Sequence, residues 1–246
     1  TVNISENGSG ILTVSYLKNL TTGGTVNVTG GSSVYFYNDT LLLSTFNISA
    51  YSQSATVYNS SITAGSIHIA SDAATSASTN LYGNVFTGNV TYTGNSITAP
   101  IIEGQYGGNS YHGNLTLIRN TGAMYLTYGY PLILTGNLTV DSDTDDPSYK
   151  IFSSGAFIFS GNQNSNVYNL GTAPLELFAI QVSKSGTANV TLNAPLHIQY
   201  NADFLNGHIV SSVANPLSVL HGASTTGAGN NSHVVGVVSK TGIEPF

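Results

Sequence analysis

The chain has 246 residues, of which only 7% are charged, with five Lys and Arg together and a formal net charge of −6. Basic side chains so few and so scattered argue against nucleic-acid binding, which needs clustered positive charge. The lack of cysteine excludes disulfides and thiolate metal sites, and no apolar run approaches the roughly 18 residues of a membrane helix.

Disorder fits poorly, because 41% of the residues are hydrophobic and recur in β-branched and aromatic bursts. A porin-type barrel would give similar alternating signals. Many bursts, however, span only three to five residues, short of the roughly 9–11 a membrane-spanning strand needs. Absence of cysteine beside so much Asn, Thr and Gly leans towards a bacterial export.

In chain order, Thr1-Val2-Asn3-Ile4 is already strand-like, and no signal peptide is visible. Val26-Asn27-Val28-Thr29, Val34-Tyr35-Phe36-Tyr37, Phe46-Asn47-Ile48-Ser49, Thr56-Val57-Tyr58, Ile67-His68-Ile69-Ala70 and Asn80-Leu81-Tyr82 follow. The phrase sharpens to Gly88-Asn89-Val90-Thr91-Tyr92, Gly113-Asn114-Leu115-Thr116-Leu117 and Gly136-Asn137-Leu138-Thr139-Val140. It returns at Ala188-Asn189-Val190-Thr191-Leu192, with bursts around Met124, Ile151 and Val167 in between. Each burst alternates apolar with small polar residues, the period-2 signature of a strand with one buried face. Gly, Asn and Ser clusters separate them as turns. Residues 174–180 form a weak helix candidate that reads equally well as strand.

Anchoring on Asn27, Asn47, His68, Asn89, Asn114 and Asn137 gives steps of about 20, 21, 21, 25 and 23 residues. The gap to Asn189 is about twice 26, with Gly161-Asn162 near its middle. Such a period marks a stacked repeat. A sandwich would turn every 8–12 residues or so, so the long spacing favours an all-β parallel β-solenoid, a right-handed β-helix with coils of about 20–26 residues over 1–200. Roughly nine coils at about 4.8 Å give a rod core of about 45 Å. Asn27, Asn47, Asn89, Asn114, Asn137 and Asn189 are predicted to align as a side-chain ladder.

From 201 to 246 the pattern changes: Phe204–Val210 with an Asn-Gly turn, Pro216–Leu220, then a Gly- and Asn-rich loop leading to Ser232-His233-Val234 and Lys240-Thr241-Gly242. This region reads as further coils continuing into a part of the parent protein beyond Ile243-Glu244-Pro245-Phe246, and both ends read as boundaries of a piece. The combination, with the Gly-Asn-Leu-Thr phrases and tyrosine-rich strands of 79–142, resembles segments of giant secreted surface proteins of Bacteroidota. That resemblance implies adhesin-like chains exported by the type 9 secretion pathway, some linked to gliding motility or attachment. It also implies a separate sorting domain, of which nothing is visible here. Asp39-Thr40-Leu41 resembles the short O-glycosylation acceptor of that phylum, which would modify Thr40.

Asp141, Asp143, Asp145 and Asp146 offer Asp-x-Asp-x-Asp oxygens for calcium, although Asp146 replaces the usual turn Gly and Phe152 the bidentate Glu. The alternative is a solvated acidic loop ended by Pro147. No other cofactor is expected. The histidines lack ligand spacing, although His68 and His197 could pair within a stack. Glu103 near His112 and Arg119, and Glu176 near Lys184, are too loose a set for the paired acids of a polysaccharide-degrading β-helix. Tyr125 and Tyr128 are candidate glycan contacts, and equally core or turn residues. The many Asn-x-Ser/Thr triplets follow from the coil phrase itself.

The expected function is a structural, adhesive and non-enzymatic segment of an extracellular fibre on the bacterial cell surface, a rigid rod for attachment or cell–cell contact. Its expected partners are neighbouring domains or fibre subunits and surface glycans, with no nucleic acid and no membrane span. A carbohydrate-binding module and a polysaccharide-active enzyme are the alternatives.

Overall fold

A computed structural model describes residues 1–6, 11–15, 18–21, 23–30, 33–50, 54–71, 78–95, 100–120, 124–142, 151–172 and 174–242. Every regular element among them is a β-strand, and the strands pair in parallel from coil to coil as a β-solenoid. The segment 174–180 resolves as part of the strand Leu175–Lys184, not a helix.

Each coil lays down three strands in the same order. The first column runs through Ser33–Tyr37, Ala55–Tyr58, Thr79–Tyr82, Ile101–Glu103, Met124–Leu126 and Ile151–Ser153. The second runs through the starts of Thr40–Ala50, Ser61–Ser71 and Val85–Gly94, then Ser110–His112, Leu132–Leu134 and Ala156–Gly161. The third holds the repeated phrase: Val2–Glu6, Thr25–Gly30, the ends of those three long strands, Leu115–Arg119, Leu138–Ser142 and Ser165–Asn169. The columns continue past residue 200 with shorter strands, as Leu196–Asn206 pairs with both Leu217–Val219 and Ser224–Thr226.

The period-2 pattern explains the core. Alternate residues point inward, so identical positions of successive coils stack into apolar columns. In the second column Leu41, Ile62, Phe86, Tyr111, Leu134, Phe159, Val182 and Phe204 lie in register and are all buried. Burying a large apolar side chain contributes about 1.5–3 kcal/mol, and here every coil adds several such residues to one continuous core.

The Gly of the repeated phrase has a steric cause. It sits at the bend between the second and third strands, where successive coils approach closely. A Cβ on Gly113 would lie 2.1 Å from the Gly88 carbonyl oxygen, and one on Gly136 would lie 2.3 Å from that of Gly113. No side chain fits there.

Candidate functional site

The predicted single asparagine column does not form: Asn27 and Asn47 share one line on the third face, and Asn89, Asn114 and Asn137 share another. Asn27 Nδ2 donates to Asn3 Oδ1 at 2.9 Å, and Asn47 Nδ2 donates to Asn27 Oδ1 at 2.8 Å. His68 occupies the next position, and its Nε2 lies 2.9 Å from Thr93 Oγ1. The next residue in that register is Thr91, while Asn89 lies opposite Ser66, so Asn89, Asn114 and Asn137 form a separate line two residues earlier: Asn114 N–H donates to Asn89 Oδ1, and Asn137 N–H to Asn114 Oδ1. The line then passes through Asn166, whose N–H donates to Asn137 Oδ1 at 2.8 Å, not through Asn162. Asn189 stands apart from it: its N–H donates to Asn164 Oδ1, and its own Oδ1 accepts from His208 N–H.

A second ladder, not anticipated from the sequence, lies buried at the corner between the first and second strands. Asp39 N–H donates to Ser60 Oγ at 3.1 Å, Ser60 N–H to Asn84 Oδ1 at 3.0 Å, and Asn84 N–H to Asn109 Oδ1 at 2.8 Å. Each donor points to the following coil. At the end of the first strand, a neighbouring position of the same corner, two bonds run the other way. Thr127 N–H donates back to Glu103 Oε2 at 2.7 Å, and Gly155 N–H donates back to Thr127 Oγ1 at 3.0 Å. The corner turns through left-handed backbone at Asn38, Asn59, Gly83, Gly104 and Thr127, with φ of 53°, 50°, 68°, 78° and 52°. Asn and Gly tolerate that region, while the β-branched Thr127 adopts it against its preference, held by bonds from both its N–H and its hydroxyl.

Glu103 is where the two directions meet. It is fully buried, one coil beyond Leu81 in an inward-facing column. Its Oε1 accepts from Asn109 Nδ2 at 2.6 Å while Oε2 accepts from Thr127. Burial pushes its carboxyl up to about 7, and the bonds from Thr127 and Asn109 hold it from rising further. The hydroxyls of Tyr92 and Tyr111 bond one another inside the same core, and burial raises both phenols well above their ordinary range. Period-2 alternation in Ile101-Ile102-Glu103 was the one sequence signal that could have placed this carboxylate inside.

The other loose acid set is also spoken for. Glu176 Oε2 accepts from Gln199 Nε2, and its Oε1 lies 3.9 Å from His197 Nδ1. Lys184 is buried and donates to the carbonyls of Ser160 and Thr135 and to Ser165 Oγ. Burial lowers its ammonium to about 8. His208 and His233 pack with ring centroids 4.4 Å apart on adjacent coils, a pairing that the linear spacing hides.

Of the acidic cluster, Asp141 ends the strand Leu138–Ser142, while Asp143, Asp145 and Asp146 lie outside the described residues. Among the described residues no group of three or more His, Asp or Glu is placed to hold a metal. Thr40 is exposed, beside an Asp39 whose Oδ2 accepts from Tyr37 N–H.

Tyrosines line the outside of the same corner. Tyr37 and Tyr58 stack at 4.2 Å, and Tyr58 and Tyr82 at 5.1 Å, so those rings spend their faces on each other. Tyr106 breaks the row, standing at 81° to Tyr82 and 68% exposed. Tyr125 is half-buried and packs edge-on against Tyr128, which is 48% exposed, as is Tyr130. No protein-family model matches the chain, and no curated protein or solved structure is detectably similar to it.

Proposed function

We propose that this chain is a structural and adhesive segment of an extracellular bacterial surface fibre, a rigid rod that spaces and presents contacts for attachment. The observation that carries this reading is the pair of ladders beneath and beside a continuous core, which tie each coil to the next along one axis. Glu103 supports a non-enzymatic role, because a carboxylate with no solvent exposure and both oxygens bonded reaches no substrate. The resemblance to surface proteins exported by the type 9 pathway supports the compartment. No helix among the described residues is long and apolar enough to cross a membrane.

The partners that suit such a rod are neighbouring domains of the same chain or further fibre subunits. At its C-terminal end the short strands Ser224–Thr226, Val234–Val235 and Val238–Lys240 pair on one side only among the described residues. Their inward positions Thr225, Val234 and Val238 remain half-exposed. An edge of this kind pairs readily with another strand unless it is covered.

Immunolabelling of intact, unpermeabilised source cells tests the reading. Surface labelling, with loss of attachment when the segment is deleted in frame, is the expected result. Label seen only after permeabilisation refutes it.

A further inference from the structure

We propose that Tyr106, Tyr128 and Tyr130 form a preorganised platform that binds a neutral polysaccharide. The site does not rest on the surface-fibre reading, since it is built entirely from two adjacent corner turns.

The corner is tight in the earlier coils, where Tyr82-Gly83-Asn84 turns directly into the next strand. It then enlarges in two successive coils, to 104–109 and 127–131. The two enlarged turns lie against each other. A Cβ on Gly104 would meet the Tyr130 carbonyl oxygen at 3.1 Å and Tyr128 N at 3.4 Å, and one on Gly108 would meet Tyr130 Cβ at 3.7 Å. Glycine here lets one loop seat on the other. In the following coil the corner shrinks again to Ser154-Gly155, where a Cβ on Gly155 would lie 3.2 Å from the Tyr130 carbonyl oxygen. The ridge therefore drops away beside Tyr130.

The enlarged turns are held from beneath. Glu103 and Asn109 bracket the first of them and bond each other at 2.6 Å, and Glu103 also takes the N–H of Thr127 at the root of the second. Loops fixed in this way lose little freedom when a ligand arrives. Their large outward side chains are the three tyrosines, 68%, 48% and 48% exposed. Unlike Tyr37, Tyr58 and Tyr82, Tyr106 is not stacked face to face on its neighbour.

Charge selects the ligand class. Residues 104–118 and 120–140 contain no Asp, Glu, Lys or Arg, and Arg119 between them is buried. An ionic polymer finds no countercharge on these two turns. A sugar ring offers a flat C–H face to an aromatic ring and hydroxyls to the phenols, and a chain of them can lie along successive coils.

Electrophoresis through gels containing hydroxyethylcellulose, laminarin or galactomannan, with heparin as the anionic control, tests the proposal. At least one neutral polymer should retard the protein. Tyr106→Ala with Tyr130→Ala should weaken that retardation about tenfold, at a few-fold per ring. Tyr106→Phe with Tyr130→Phe should keep most of it, and Tyr58→Ala should leave it unchanged. Unaltered thermal midpoints guard against misfolding. Retardation by none of the neutral polymers, stronger retardation by heparin, or equal loss in the Tyr58→Ala protein overturns the platform.

Discussion

Replacing Glu103 with Gln removes one ionisable group from the core and should remove a defined part of the protein's pH dependence. Burial moves this carboxyl from its ordinary 4.5 to about 7 in the folded chain. At about 1.4 kcal/mol per pH unit, that difference amounts to roughly 3 kcal/mol. The folded state holds its proton more tightly than the unfolded state. Stability from this group is therefore fully present below pH about 4.5, falls as pH rises, and levels off above about 7. Gln carries no such slope. It adds a fixed cost instead, because its amide turns a donor towards either Asn109 or Thr127, both of which donate to Glu103. Urea unfolding of both proteins from pH 4 to 8 separates the two effects. The fixed cost displaces the whole curve, while the ionisation changes its shape. The difference between the two proteins should shrink by about 3 kcal/mol from pH 4 to pH 8. Parallel curves across that range would refute the placement of an ionisable Glu103 in the core.

Other expectations follow from the ladders and bends. Gly113→Ala should destabilise by about 3 kcal/mol or more, because its Cβ would lie 2.1 Å from backbone in the preceding coil, and calorimetry reads the fall in midpoint. Asn84→Ala strands the Ser60 N–H and the Val57 carbonyl inside the corner, so it should cost about 2–4 kcal/mol, against less than about 1 kcal/mol for Asn47→Ala on the outer face. Lys184, with its ammonium lowered to about 8, contributes stability that is fully present above its unfolded value of 10.5 and is lost as pH falls towards 8. Relative to Lys184→Met, wild type should therefore gain stability between pH 8 and 10.5 in melting curves taken across the range, because the buried tyrosines titrate alike in both proteins.

The solenoid was legible because its signal is local and repeated. Gly88-Asn89, Gly113-Asn114 and Gly136-Asn137 recur at coil spacing since the bend tolerates no Cβ and the strand after it must alternate. The corner ladder was not legible, because Asp39, Ser60, Asn84 and Asn109 share a position but not one residue type. Any short side chain that can accept a hydrogen bond fits there, so no phrase recurs. Asn189 was misassigned for a related reason. Its Ala-Asn-Val-Thr-Leu phrase matches the others, but the register sets Thr191 opposite Asn166 and leaves Asn189 beside Asn164. The tyrosine row was visible as bursts, yet which rings would be consumed in stacking and which left open depended on two turn lengths that only the assembled coils reveal.

The reversal of the corner ladder at Glu103 has a consequence for a chain that emerges from its amino end. In the three coils before that of Glu103 a backbone donor waits for an acceptor that has not yet appeared, so each of them stays unfinished until the next is delivered. The two coils after that of Glu103 find their acceptors already in place and close on arrival. The coil of Glu103 is thus a keystone: its delivery completes the part before it and opens a template for the part behind it. Losing a coil on either side merely shortens the rod, whereas losing this one leaves two incompatible halves facing each other.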